Sequence, residues 1–284
     1  YGLTHSMMHR PLSILDFYKK RLLKLFFPLW ILLITLLAAD SVFLHIHYPF
    51  YVTLSSFLGF FPKAHLYESI NAPLWYFTFI LFYYFLFPLV FFLFLPIISA
   101  ILLGCISYFI TYLVPLPVDA GVLGSYQVHI YAFPLGVLCA ALLYSRIQWI
   151  DKLAHAFQTF FERRIFISYF LRALCLGLFL ALFCYTSLHA DIGKGPWLEQ
   201  RMSLFTMFMV LGIFLLKPIQ SRFLILVGVF SYEIYLFHWP LLYRYDFLYK
   251  YLPASLATFT SIGLFLGIAY AFRYAVAQVN KRLS

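Results

Sequence analysis

The segment SYEIYLFHWPLL, Ser231–Leu242, sets a carboxylic acid, an imidazole and two phenols inside an apolar run. On a helix, Ser231, Tyr235, His238 and Leu242 recur at i, i+4, i+7 and i+11 and share one face, whereas Glu233 falls in line with Phe237 and Pro240. Ionisable groups at membrane depth are costly and usually face a bundle interior or a wet cavity. His238, expected near the outer end of its helix, has the chemistry of a general base, because imidazole suits proton transfer at ambient pH. Glu233, expected nearer the middle, must be neutral or paired. Arg172, seven residues into its own apolar segment, is the cation expected to meet it. An interfacial histidine beside Trp239, and aromatic packing by Tyr232 and Tyr235, account equally well for these residues.

A second set lies in PLSILDFYKKRLLKLFFPLW. Ser13 and Asp16 form a capping-box-like start to a helix. Lys20, Arg21 and Lys24 follow at i, i+1 and i+4, so they share one side of a turn just before the hydrocarbon. Such a concentration of cations suits a phosphate-rich ligand, and equally suits anionic lipid heads. A third set is NAPLWYFTFILFYYFLFP, where Asn71 and Pro73 make a turn and Trp75 and Tyr76 stand at an interface. They read either as part of an aromatic girdle or as part of a site. The loop HADIGKGPWLEQR, with Asp191, Trp197 and Glu199, either helps hold a polar acceptor or simply connects two spans. The four cysteines, Cys105, Cys139, Cys175 and Cys184, form no CxxC pair and read as packing residues. There is no metal-ligand spacing and no resident cofactor is expected.

These residues need a membrane to hold them. Hydrophobic residues make up 64% of the 284 and charged residues only 11%, with a mean hydropathy of +0.90; soluble domains carry about 25% charged residues. The fold class is therefore all-α, a polytopic helical bundle forming one domain over residues 1–284. A spanning helix needs about 20 apolar residues. Eight stretches qualify: Leu25–Leu44, Leu74–Phe94, Ile97–Val114, Tyr126–Tyr144, Ile165–Leu188, Met202–Leu216, Phe223–Tyr243 and Leu256–Val276. Tyr48–Phe61 is too short and reads as interfacial or re-entrant. With eight crossings, fourteen of the twenty Lys and Arg fall on one side and five on the other, with Arg172 inside a span. The positive-inside rule then puts both termini in the cytoplasm and accounts for the net charge of +10 without nucleic acid as a partner.

Three stretches together resemble the acyltransferase family 3 membrane proteins, which O-acylate cell-surface glycans. FYKKRLLKLFFPLW is similar to that family's basic turn leading into a span. PLWYFTFILFYYFLFP is similar to its Leu-Trp-aromatic span. FSYEIYLFHWPLL is similar to its late Ser-Tyr-x-x-Tyr-Leu-x-His motif and is the most specific of the three. YAFPLGVLCAALLY also fits a family span. The resemblance implies ten spans, of which eight stand here. YGLT looks like the tail of the second, so the family's first two spans, with the expected catalytic histidine, would lie upstream of Tyr1. His238 is then the fallback base.

The resemblance also implies a co-substrate, acyl-CoA, with acetyl as the default acyl group. Its phosphates would be held at Arg21 and Lys24, with Lys20 beside them. The family's Arg-x-x-Arg reads Arg21-Leu-Leu-Lys24, which keeps the charge and loses one planar fork. Ser231 and Tyr235, with Glu233, Trp75 and Tyr76, would line the tunnel or acceptor end. The acceptor would be an extracytoplasmic glycan or lipid-linked sugar, and the setting a bacterial inner membrane whose lipids are the remaining partner. Two other readings stay open: a proton-coupled transporter or flippase using Glu233, Arg172 and His238, and an inactive truncated remnant.

Overall fold

The computed structural model describes residues 3–4, 7, 13–65, 69–93, 95–144, 152, 155–156, 159–160, 164–189, 200–206 and 221–283. The described residues are helical, with no strand among them. The chain order is α1 (Ile14–Phe43), α2 (Phe50–Phe57), a 3-10 turn (Ala72–Leu74), α3 (Trp75–Leu93), α4 (Pro96–Leu113), α5 (Ala120–His129), α6 (Ala132–Tyr144) and α7 (Ile165–His189). Then come α8 (Arg222–Val229), α9 (Ser231–Trp239), a π turn (Pro240–Arg244), α10 (Phe247–Tyr251) and α11 (Ala254–Leu283). Among the described residues six helical stretches are long and apolar enough to cross a membrane: Ile14–Phe43, Ala72–Phe91, Pro96–Leu113, Ala120–Leu142, Ile165–Leu182 and Ala254–Gln278.

These six match six of the expected spans. A seventh, Phe223–Tyr243, is not one helix: it breaks at Phe230, and α8 stands at 68° to the Ser231–Arg244 segment. The eighth, Met202–Leu216, lies outside the described residues beyond Thr206, as do residues 190–199 of the loop that precedes it. Tyr48–Phe61 holds only the eight-residue α2, so it is too short to cross.

The described chain gathers into two compact units. One holds α3 from Phe85 onward, α4, most of α5, α6 and α7. In it α4 packs against α6. A Cβ at Gly104 would stand in ordinary contact with the Pro134 side chain, at 3.8 Å. Ser99, Ser107 and Thr111, all buried, send their hydroxyls to backbone carbonyls of Val90, Leu103 and Ser107. Small residues and self-satisfied hydroxyls are the usual means of tight packing where lipid gives no hydrophobic drive.

The other unit holds α1, α2, α3 as far as Tyr84, and α8 to α11. Its core is one stripe of α1 (Leu25, Leu29, Leu32, Leu33 and Leu36) against Phe61, Ile70, Leu74, Phe77, Leu81 and Leu236. The i, i+4, i+7, i+8, i+11 spacing is that of a single helical face. Gly59 closes the α2 turn at φ 79°, and a Cβ there would come within 2.8 Å of Phe77 and 3.0 Å of Phe26.

The cysteines depart from the packing expectation. Cys105 and Cys184 are exposed, and Cys139 and Cys175 are half-buried. Hydropathy cannot separate a lipid-facing position from a core one, because lipid and core are equally apolar.

Candidate functional site

The buried stripe of α1 extends by steps of four at both ends, to Arg21 and Phe17 in one direction and to Asp40 in the other. Arg21 and Asp40 are therefore separated by about 28 Å of helix at about 1.5 Å per residue, close to the hydrocarbon thickness of about 30 Å.

At the basic end, Phe17 is buried and Arg21 half-buried. The Arg21 guanidinium lies 6.0 Å from the centre of the Phe17 ring, and that ring meets Tyr84 edge-on at 6.3 Å. Lys20 and Lys24 are exposed. The three cations therefore do not share one environment, as their spacing suggested. Arg21 lies on the core stripe, and a step of one or three residues carries the lysines off it.

At the far end, Asp40 is fully buried. Its Oδ2 accepts from Arg244 Nη1 at 2.5 Å and from the Tyr48 hydroxyl at 2.7 Å, and its Oδ1 accepts from the Tyr245 hydroxyl at 2.6 Å. Arg244 spends further protons on the carbonyls of Ile70, at 2.7 Å, and Ser69, at 2.6 Å. Burial first, and donation to the carboxylate second, push the Tyr48 and Tyr245 hydroxyls well above the ordinary tyrosine range, while Arg244 pulls the other way. A buried carboxylate is tolerable when it is paired and hydrogen-bonded, and here both conditions are met. One carboxylate thus ties the end of α1, the loop before α2, the turn before α3 and the end of α9 into a knot.

Between these ends runs α9. The Tyr232 hydroxyl donates to Leu25 O at 2.8 Å, and Arg244, twelve residues on, meets Asp40, so α9 and its π turn rise alongside α1. The Tyr235 hydroxyl donates to Pro73 O at 2.7 Å. Pro240 has no N–H to offer the carbonyl four residues before it, and that carbonyl, Leu236 O, instead accepts from buried Asn71 Nδ2 at 2.9 Å. His238 Nδ1 lies 2.8 Å from Tyr235 O. A carbonyl can only accept, so Nδ1 carries the proton and Nε2 holds the basic lone pair of the neutral ring.

This register corrects the expected depths. The break at Phe230 removes the eight residues of α8 from the crossing, which starts at Ser231. Glu233, half-buried, therefore lies beside the level of Leu25 rather than mid-span. His238 lies about 9 Å further on, midway between the levels of Leu25 and Asp40 rather than at the outer end. Ser231 keeps the helical register with Tyr235 and His238 but, at the start of α9, is exposed, and its hydroxyl donates to Gly228 O at 2.9 Å, at the bend. Tyr235 contacts both Tyr76, at 6.0 Å between ring centres, and His238, at 6.1 Å. Trp75 meets Tyr76 edge-on at 5.7 Å. Trp75, Tyr76, Tyr235 and His238 thus form one aromatic row. The Arg172 side chain lies outside the described residues. Among the described residues, no three His, Cys, Asp or Glu gather as a metal site would require.

Asp40, Arg244, Tyr48 and Asn71 emerge as anchors that the spacing of charges did not single out. Asp40 carried a usable signal, since it is the acid that falls four residues beyond Leu36 on the apolar stripe. Comparison with protein-family models, curated proteins and solved structures finds no match to this chain.

Proposed function

We propose that the chain is a membrane O-acyltransferase that moves an acyl group, acetyl by default, from cytoplasmic acyl-CoA to a hydroxyl of an extracytoplasmic glycan. The observation that carries the reading is a polarity running up one compact unit. Exposed Lys20 and Lys24 with half-buried Arg21 stand at one end of α1. An imidazole with its basic nitrogen at Nε2 stands about 15 Å further up the neighbouring helix, by the count from Arg21 to Leu25 and from Tyr232 to His238. A pantetheine arm is the kind of extended group that covers such a distance. The cations hold the phosphates of acyl-CoA, His238 takes the proton from the attacking hydroxyl, and the aromatic row from Trp75 to Tyr235 gives a sugar ring flat faces to lie on.

The transporter reading is less well supported. Glu233 and His238 are five residues apart, about 140° around α9, so one path along this helix would not be lined by both.

The test uses the full chain in proteoliposomes with acetyl-CoA labelled in its acetyl group. The unsubstituted chain should bind acetyl-CoA and, once a soluble sugar is added whose hydroxyl takes the acetyl group, release free coenzyme A; Arg21→Ala should weaken binding about ten-fold or more, and His238→Gln should leave binding intact while abolishing that release. No binding by the unsubstituted chain at millimolar acetyl-CoA would sink the proposal.

A further inference from the structure

Helix α8 is eight residues long, about 12 Å, and none of its residues is buried in the protein. Phe223, Leu224, Ile225, Leu226 and Val229 all stand exposed. Because α9 rises alongside α1, the 68° bend leaves α8 climbing only about 4 Å along that direction rather than about 12. It adds little to the crossing made by α9 and its π turn.

The break itself shows at what level α8 lies. Opening a helix frees carbonyls, which hydrocarbon cannot satisfy. Here Gly228 O receives the Ser231 hydroxyl and Val229 O receives Arg273 Nη1 at 2.9 Å. Arg273 lies over the Phe230 ring at 5.5 Å and is itself exposed. An exposed guanidinium is expensive in the hydrocarbon and stable at the headgroups. Arg222, at the opposite end of α8, is also exposed. The break stands one residue before Ser231 and two before Tyr232, whose hydroxyl meets Leu25. It therefore shares the level of exposed Lys24, next to Leu25 on α1.

We propose that α8 lies in the plane of the membrane just beneath the headgroups. Arg222 and Arg273, at its two ends, then bind the phosphates of anionic phospholipids in the leaflet at the basic end of α1. An all-apolar in-plane rod with a cation at each end complements a lipid layer with an apolar interior and an anionic rim. This inference is independent of the acyl-transfer reading.

Two measurements on the full chain in nanodiscs test it. The first places one spin label at a time from Phe223 to Val229, in a chain whose own cysteines are replaced by alanine and whose unfolding midpoint is unchanged. Depth should oscillate with the helical period about a constant mean, and a steady deepening of about 1.5 Å per residue would overturn the proposal. The second titrates phosphatidylglycerol into phosphatidylcholine nanodiscs. Arg222→Gln should bind phosphatidylglycerol about five-fold more weakly and Arg222→Lys should behave as the unsubstituted chain. Equal affinity in Arg222→Gln would overturn the lipid assignment, and Arg222 is chosen because Arg273→Gln would also open the bend.

Discussion

At the scale of single residues, the Asp40–Arg244 pair has the largest consequences. Removing one member of a buried ion pair costs about 3–5 kcal/mol, because the other charge is left without compensation. Asp40→Asn and Arg244→Gln are each expected to lower stability by that order, and the double substitution by less than the sum. Denaturant unfolding of all four chains in lipid nanodiscs checks the coupling. Tyr48 and Tyr245 make a separate prediction about pH. Their hydroxyls are raised in the folded chain, so the stability they contribute is complete below the unfolded tyrosine value of about 10 and declines as pH rises past it. Thermal midpoints between pH 9 and 12 should fall less steeply in Tyr48→Phe with Tyr245→Phe than in the unsubstituted chain. Asp40 was legible in the sequence as the next step of an apolar stripe. Arg244 was not, because its approach to Asp40 depends on where α9 begins, and that is set by a bend at Phe230 that hydropathy does not register.

At the scale of elements, the α9 crossing is held by side chains standing in for backbone. Asn71→Ala should leave Leu236 O buried and unsatisfied, at a cost of about 1–3 kcal/mol. Pro240→Ala restores an N–H that can reach the same carbonyl, so the Asn71→Ala penalty should shrink in that background. A double-mutant cycle of unfolding midpoints measures it, and equal penalties in both backgrounds would remove Asn71 from this role. Gly59 adds a backbone test: its positive φ costs an L-residue about 1–2 kcal/mol before the contact with Phe77, so Gly59→Ala should lower the midpoint and Phe77→Leu should relieve part of the loss. Six crossing helices could be read from length and apolarity alone, since lipid enforces both. The seventh misread as a straight span because the apolar run of α8 resumes in α9 with Ile234, Leu236 and Phe237. What separates them is Ser231 and Arg273 serving the freed carbonyls, a contact across forty-four residues to which no local pattern points.

At the scale of the whole molecule, the compact unit carrying the candidate site is assembled from the two ends of the chain, residues 15–84 and 220–284 with a short piece of 117–122. Composition announced a membrane bundle, but the pairing of the ends rests on contacts such as Tyr232 with Leu25 and Arg244 with Asp40, some two hundred residues apart. That separation matters during synthesis. At about 5–20 residues per second, Arg244 leaves the ribosome about 10–40 s after Asp40. Throughout that interval α1 carries a carboxylate at its end without the guanidinium that meets it in the folded chain. A released chain that ends before Arg244 should therefore turn over faster than one that ends just after Tyr245, and pulse-chase of the two truncated chains measures the difference. The knot that closes the finished bundle is thus also a clock: α1 is not secure until α9 and its π turn have been made.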